Sequence, residues 1–279
     1  MRGIVLTLAV LLAPAVATAQ DSALPTACVA DAQGAINYQA CADATPVGST
    51  PHMLALINLG TEAFLRADYA TAVRFYDQAQ PADGQQVFSD PRFHAFRGSS
   101  YFQVGRKREA LEDAHTVLTM LGVEDASETP DIDVIYAAIL PILNDAHDPA
   151  FTPTLNAYKA LPAADWVSYV NQAGLLEQLH DIDGALAADT RAFALQPDNP
   201  VVLNTHCYIL TRAGRAQEAL PFCERAVAAA PSVAPVHHSY ASALAALGQC
   251  DRANAELAQA RRLDSASLEY RRPLTCRAR

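Results

Sequence analysis

The stretch from Pro200 to Pro231 reads PVVLNTHCYILTRAGRAQEALPFCERAVAAAP and constrains the fold more than any other part of the chain. With Pro200 as position 1, Cys207, Gly214, Ala219, Ala226 and Pro231 fall at positions 8, 15, 20, 27 and 32. Two antiparallel helices approach closely only where small side chains face each other. A glycine suits the turn between them, and a proline ends the second helix. The same phasing recurs on either side. Ala173, Ala185, Ala192 and Pro197 hold positions 8, 20, 27 and 32 of a unit that starts at Trp166. Ala241, Gly248, Ala253 and Ala260 hold 8, 15, 20 and 27 of a unit that starts at Ala234. Three units thus run in uninterrupted 34-residue register, and a helical hairpin is expected in each.

Weaker copies precede these. Counted from Met53, Gly60, Tyr69, Ala72, Tyr76 and Ala79 take positions 8, 17, 20, 24 and 27. Counted from Pro91, Gly98, Tyr101, Gly105 and Ala110 take 8, 11, 15 and 20, with Val117 in place of a small residue at 27. A third copy, 131–164, is degenerate. Ala138, Ala150, Ala157 and Pro162 fall at 8, 20, 27 and 32 from Asp131. Pro141, however, lies inside its first helix, where a kink is expected, and Pro149 and Pro153 disturb the turn and the second helix. This pattern of small residues in helix–turn–helix units resembles the tetratricopeptide repeat. The resemblance implies an all-α fold, an α-solenoid of antiparallel helix pairs with about six units over residues 53–267. A short disulfide-bearing segment, 20–52, precedes the repeats, and a capping helix and basic tail, 268–279, follow them. Each unit leaves an apolar face that only a neighbour buries, so one continuous stack and one domain are expected. Ser265 is expected to cap the last helix, which Pro273 ends.

The chain begins MRGIVLTLAVLLAPAVATAQD. One Arg, an apolar run from Ile4 to Leu12 and the A-x-A spacing of Ala17 and Ala19 read as a secretory signal peptide, residues 1–19. The run is too short for a permanent anchor, and no other stretch is apolar enough to span a membrane. Lipidation at Cys28 is disfavoured, because Pro25 stands where such sites prefer Leu. A periplasmic or secreted chain is therefore expected, and the excess of Arg over Lys suggests a bacterium with a GC-rich genome. Acids outnumber bases by 30 to 20, which speaks against general nucleic-acid binding.

Six cysteines in an exported chain suggest disulfides, and no C-x-x-C is present to indicate a redox centre or a zinc knuckle. Spacing alone leaves about fifteen connectivities open. The repeat register implies a choice among them. Cys207 and Cys223, at positions 8 and 24, face each other across one helix pair. A bridge there closes a loop worth about 3 kcal/mol in the chain-entropy account, and two buried thiols are the alternative. Cys28 and Cys41 are nearest neighbours around ADAQGAINYQA, itself a candidate short helix, and a Cys250–Cys276 bridge would pin the C-terminal helix onto the stack.

In this repeat family, ligands lie along the concave face of the first helices, at positions 2, 5, 9, 12 and 13. Carried over, the second unit offers Ser99, Phe102 and Gln103, and the third Ile135, Ile139 and Ile142. The fourth offers Val170, Gly174 and Glu177, the fifth Asn204, Tyr208 and Arg212, and the sixth His238 and Ser242. An Asn amide can both donate to and accept from a peptide backbone, and Tyr and Arg are frequent anchors of binding hot spots. A partner groove is therefore expected at Asn204, Tyr208 and Arg212, with Glu177, His238 and Phe102; the alternative is that these are ordinary solvated helix positions, or that the isoleucines of the third unit are covered by the N-terminal segment. The Lys and Asn clamp with which some members hold a C-terminal carboxylate is missing, since no unit has Lys at position 5 with Asn at 9.

Charge is unevenly spread. Glu109 to Tyr158 holds ten acids and no Lys or Arg, whereas Arg252 to Arg279 holds seven Arg. Such asymmetry can steer partners or stack copies head to tail, or it is simply a solvated surface. No G-x-S-x-G, H-E-x-x-H or phosphate-binding glycine loop is present, and the pairs Asp131/Asp133 and Asp181/Asp183 lack the further ligands of a calcium loop. No metal or cofactor is expected. The reading that follows is a non-catalytic scaffold for another protein or peptide segment of the cell envelope. Two rivals stand beside it. One is an enzyme or accessory subunit with its site near Asp145, His147 and Asp148 of the irregular third unit, and the other is a self-associating structural protein.

Overall fold

Helix starts follow from short polar side chains that accept from the exposed backbone N–H groups of a first turn. The structure, a computed structural model, describes residues 24–31, 33–79, 90–122, 129, 131–162 and 165–276. Among these, all regular structure is helical. A 3-10 turn at Thr26–Cys28 precedes α1 (Tyr38–Ala44). The repeat hairpins are α2 (Thr50–Leu65) with α3 (Tyr69–Gln78), and α4 (Pro91–Gln103) with α5 (Lys107–Leu121). Next come α6 (Ile132–Asp145) and α7 (Phe151–Ala160), then α8 (Trp166–Gln178) with α9 (Ile182–Leu195). The last are α10 (Pro200–Arg212) with α11 (Ala216–Ala229), α12 (Ala234–Ala246) with α13 (Cys250–Leu263), and the terminal α14 (Leu268–Arg271). Asp68, Asp165, Asp181 and Asn199 cap α3, α8, α9 and α10 with their side chains.

Two expected boundaries shift. The segment between Cys28 and Cys41 turns before it coils, because the Asp31 carboxylate takes the N–H groups of Gln33 and Ala35. The helix there starts only at Tyr38, behind the Asn37 cap. The first repeat helix starts earlier than Met53, because Ser49 caps it and Pro51 sits in its first turn. Ser265 does not cap the last helix. Asp264 Oδ1 accepts from the N–H groups of Ala266 and Ser267, and Ser267 stands at the N-cap.

The turn of each hairpin has one geometry. The N–H at position 16 donates to the carbonyl at position 11: Asp68 to Ala63, Arg106 to Tyr101, Asp181 to Leu176, Arg215 to Leu210 and Gln249 to Leu244. Position 15, just before it, is left-handed in all five, with φ of +86° at Gly105, +76° at Gly214 and Gly248, +58° at Ala67 and +64° at His180. In the third unit the equivalent bond is Asp148 to Leu143, and the left-handed residue is His147. The register counted from Asp131 is therefore two residues out, and the unit aligns from Asp133. This corrects the reading of Ile135, Ile139 and Ile142. They are core positions, each at most 2% exposed, and line no groove. The matches of Ala138, Ala150 and Ala157 to small positions were coincidental in a stretch rich in alanine. Pro141 lies inside α6 without ending it, and Pro153 falls in the first turn of α7, where a missing N–H leaves no bond unmade.

The described residues divide into two compact units, one up to residue 158 and the other from 159 onward. In the first, Ile57, Ala72, Tyr76, Phe93 and Phe96 build a core in which Phe64 stacks on Phe96 at 4.9 Å. Gly60 lies against the Tyr76 ring so closely that a Cβ would sit 2.6 Å from Cε1. In the second, Cys207, Leu210, Ala219, Cys223, Tyr240 and Leu244 pack together. Full burial of side chains such as Ile209 and Leu244 stabilises this second unit by about 1.5–3 kcal/mol apiece. Disulfides join Cys28 to Cys41, Cys207 to Cys223 and Cys250 to Cys276, with Cα separations of 4.6, 5.0 and 5.6 Å.

Candidate functional site

Helices α10 and α12 stand side by side in the unit 159–279, and their outward positions open onto a cavity of about 360 Å3. Tyr208, Thr211 and Arg212 line it from α10, at positions 9, 12 and 13, and His238, Ser242, Ala245 and Ala246 from α12, at positions 5, 9, 12 and 13. The remaining wall is Glu269, Leu274 and Thr275 of the C-terminal segment. The small Ala245 and Ala246 leave the room, and the segment bounds it on one side.

The polar groups are positioned by one another. Arg212 Nε donates to Glu177 Oε1 at 2.5 Å, and the Glu177 side chain is only 6% exposed. This bond links α8 to α10 and raises the already high pKa of Arg212. Burial, with Glu177 beside it, pushes the Tyr208 hydroxyl well above the ordinary tyrosine range, so it remains a neutral donor. Burial lowers His238 below the usual histidine value, although Glu269, 3.7 Å from its Nδ1, works the other way. The His238 ring rests on Tyr270 at 5.0 Å. Ser242 donates its hydroxyl to the His238 carbonyl at 2.9 Å. The surface is thus a set of oriented donors and acceptors around a small-residue floor. Such a surface can hold a polypeptide segment by its backbone and one or two side chains.

Of the residues expected in the groove, Tyr208, Arg212 and His238 meet at this cavity, with Glu177 behind Arg212. Asn204 lies one turn before Tyr208 on α10. Its Oδ1 is buried without a hydrogen-bond partner among the described residues, and it does not line the cavity. Gly174 faces open space. Phe102 belongs to the other unit, half-buried, with the Lys107 ammonium 5.9 Å from its ring. The C-terminal wall was not foreseen as part of the site. Its one signal was the Cys250–Cys276 pairing, which brings that segment onto the stack.

The acidic residues of the third unit have local partners. Asp145 accepts from Lys107 Nζ at 2.9 Å, and Asp148 accepts from the Ala150 N–H and faces His115 Nε2 at 2.8 Å. No cluster of three or more His, Cys, Asp or Glu able to hold a metal occurs among the described residues. No helix among them is long and apolar enough to cross a membrane.

No family model and no curated protein matches the chain. Solved structures do. A tetratricopeptide repeat protein from Parabacteroides merdae shares 15% identity at a TM-score of 0.56, over 82% of this chain and 84% of that one. PilW, a type IV pilus biogenesis factor, shares 18% identity at 0.55, over 78% of this chain and 96% of that one. The Cut9–Hcn1 hetero-tetramer of the APC/C shares 11% at 0.54, over 84% of this chain and 43% of that one. With paired helices, a shared turn geometry and these likenesses together, the chain has the tetratricopeptide-repeat fold.

Proposed function

We propose that the chain is a non-catalytic scaffold of the bacterial periplasm or envelope, and that it holds a segment of a partner protein against α10 and α12. The observation that carries the reading is the cavity itself. It gathers repeat positions 5, 9, 12 and 13 from two adjacent first helices, where a segment laid across them would meet Tyr208, Arg212 and His238. A site built on packed helices is preorganised, and that lowers the ordering cost of binding. Three disulfides and the signal-like N-terminus support an oxidising compartment. The likeness to PilW, named a pilus biogenesis factor, is compatible with a role in an envelope assembly.

The test is crosslinking in cells followed by capture of the mature chain, beside the triple variant Asn204→Ala, Tyr208→Ala and Arg212→Ala. Because Arg212→Ala strands the buried Glu177, a second variant, Ala246→Arg, blocks the cavity from an exposed position. A partner held by the native chain and lost from both variants supports the reading. A partner retained by Ala246→Arg places binding elsewhere.

A further inference from the structure

The C-terminal wall of the cavity is fastened unevenly. Its first part is held without covalent help. Tyr270 is buried against Ala241, Leu257 and Ala260, and the Arg261 guanidinium donates to the carbonyls of Tyr270, Arg271 and Arg272. Beyond Arg272 the anchors are Leu274, partly buried, and the Cys250–Cys276 disulfide. Leu274 and Thr275, which line the cavity, are thus secured at their far end by one covalent bond.

That bond differs from the other disulfide of the same unit. Cys207 and Cys223 are fully buried in the middle of α10 and α11. Cys250 and Cys276 are both partly exposed. Cys250 is also the first residue of α13, a 14-residue helix, where unsatisfied N–H groups and the helix dipole stabilise a thiolate. The neighbouring charges of Asp251 and Arg252 oppose each other. In thiol–disulfide exchange, access and a stable leaving thiolate both favour attack.

We propose that Cys250–Cys276 is an exchange site for a dithiol reductant and that its reduction opens the cavity. The incoming thiolate attacks Cys276 Sγ, forms a mixed disulfide and expels the Cys250 thiolate onto the α13 N-terminus. The second thiol of the reductant then displaces Cys276. Two protein thiols result, and the dithiol is oxidised to its own disulfide. Residues 273–276 lose their covalent anchor and keep only the packing of Leu274, while Tyr270 keeps α14 in place, so the cavity widens into a groove on its C-terminal side. This regulation rests on the partner-binding reading only for its consequence. The exchange and the opening are read without any partner.

The experiment treats the native chain with graded dithiothreitol at pH 7, traps thiols with iodoacetamide and maps them by mass. Limited cleavage by chymotrypsin, which cuts after Leu274, is followed on the same samples. The expected result is that Cys250 and Cys276 are labelled at least about tenfold faster than Cys207 and Cys223. Cleavage after Leu274 should then speed up while α10 and α13 stay uncut, and the C250S/C276S double variant should reproduce that pattern without reductant. Labelling of all cysteines together, or of Cys207 and Cys223 first, overturns the exchange site. Unchanged cleavage after Leu274 in both the reduced chain and the double variant overturns the opening.

Discussion

Gly60 and Gly174 stand at positions 8 and 9 of their units, one residue apart in register, yet alanine should act on them in opposite directions. At Gly60 the new methyl meets the Tyr76 ring, which is fully buried and cannot withdraw. Gly60→Ala should lower stability by about 1–3 kcal/mol by overpacking. At Gly174 nothing lies within 4 Å, so Gly174→Ala should raise stability by about 0.5–1 kcal/mol through helix propensity. Urea denaturation of the two variants checks both signs. Asp113 gives a pH-dependent case. Burial alone would raise its pKa, but hydrogen bonds from Arg97 and His94 reverse that and hold it below the ordinary value. A carboxyl depressed in the folded state contributes stability above its unfolded pKa, about 3.9, and loses it as pH falls through the lower folded value. Asp113→Asn, which leaves Arg97 without its charge partner, should cost about 3 kcal/mol at pH 7, and the difference should shrink below about pH 4. A difference that stays constant from pH 7 to pH 3 would contradict this origin. These residue-scale effects were only partly legible. The small residue at position 8 was visible in the sequence, but the buried Asp113 read as one more surface acid.

At the scale of the element, the repeated feature is the turn, and it is tighter than the helices in its demands. The left-handed residue at position 15 is glycine in three units and Ala67 or His180 in two others. A side chain there costs about 1–2 kcal/mol relative to a right-handed conformation, and glycine escapes the cost. His180→Gly should therefore stabilise the unit 159–279 by about 1 kcal/mol despite glycine's greater freedom when unfolded. A thermal melt that moves down would show that the His180 side chain makes a compensating contact. The turn also explains the one misread unit. In an alanine-rich stretch, small residues fit several registers, whereas the 16-to-11 bond fits one, and glycine did not mark it because His147 occupies the left-handed place. With the register moved by two residues, the row of isoleucines becomes core, as their apolar character alone would suggest. In the last two units, where Gly214 and Gly248 fix the turns, register and pairing could be read directly, including Cys207 opposite Cys223.

At the scale of the whole molecule, the legible part was the repeat architecture, because close helix packing leaves a spaced trace of small residues. The site was half legible. Positions carried from the repeat pattern include Tyr208, Arg212 and His238 of the cavity lining, but no periodicity encodes a C-terminal segment that folds back through a disulfide to form a wall. The central claim is that partner protein meets the outward face of α10 and α12. The most direct measurement is site-specific photocrosslinking in cells, with a benzophenone side chain placed at Ala246 in the cavity or at the exposed Gln217 on α11. The account predicts a discrete partner adduct from position 246 that is missing from position 217. Adducts that form equally from both, or only from position 217, would contradict it.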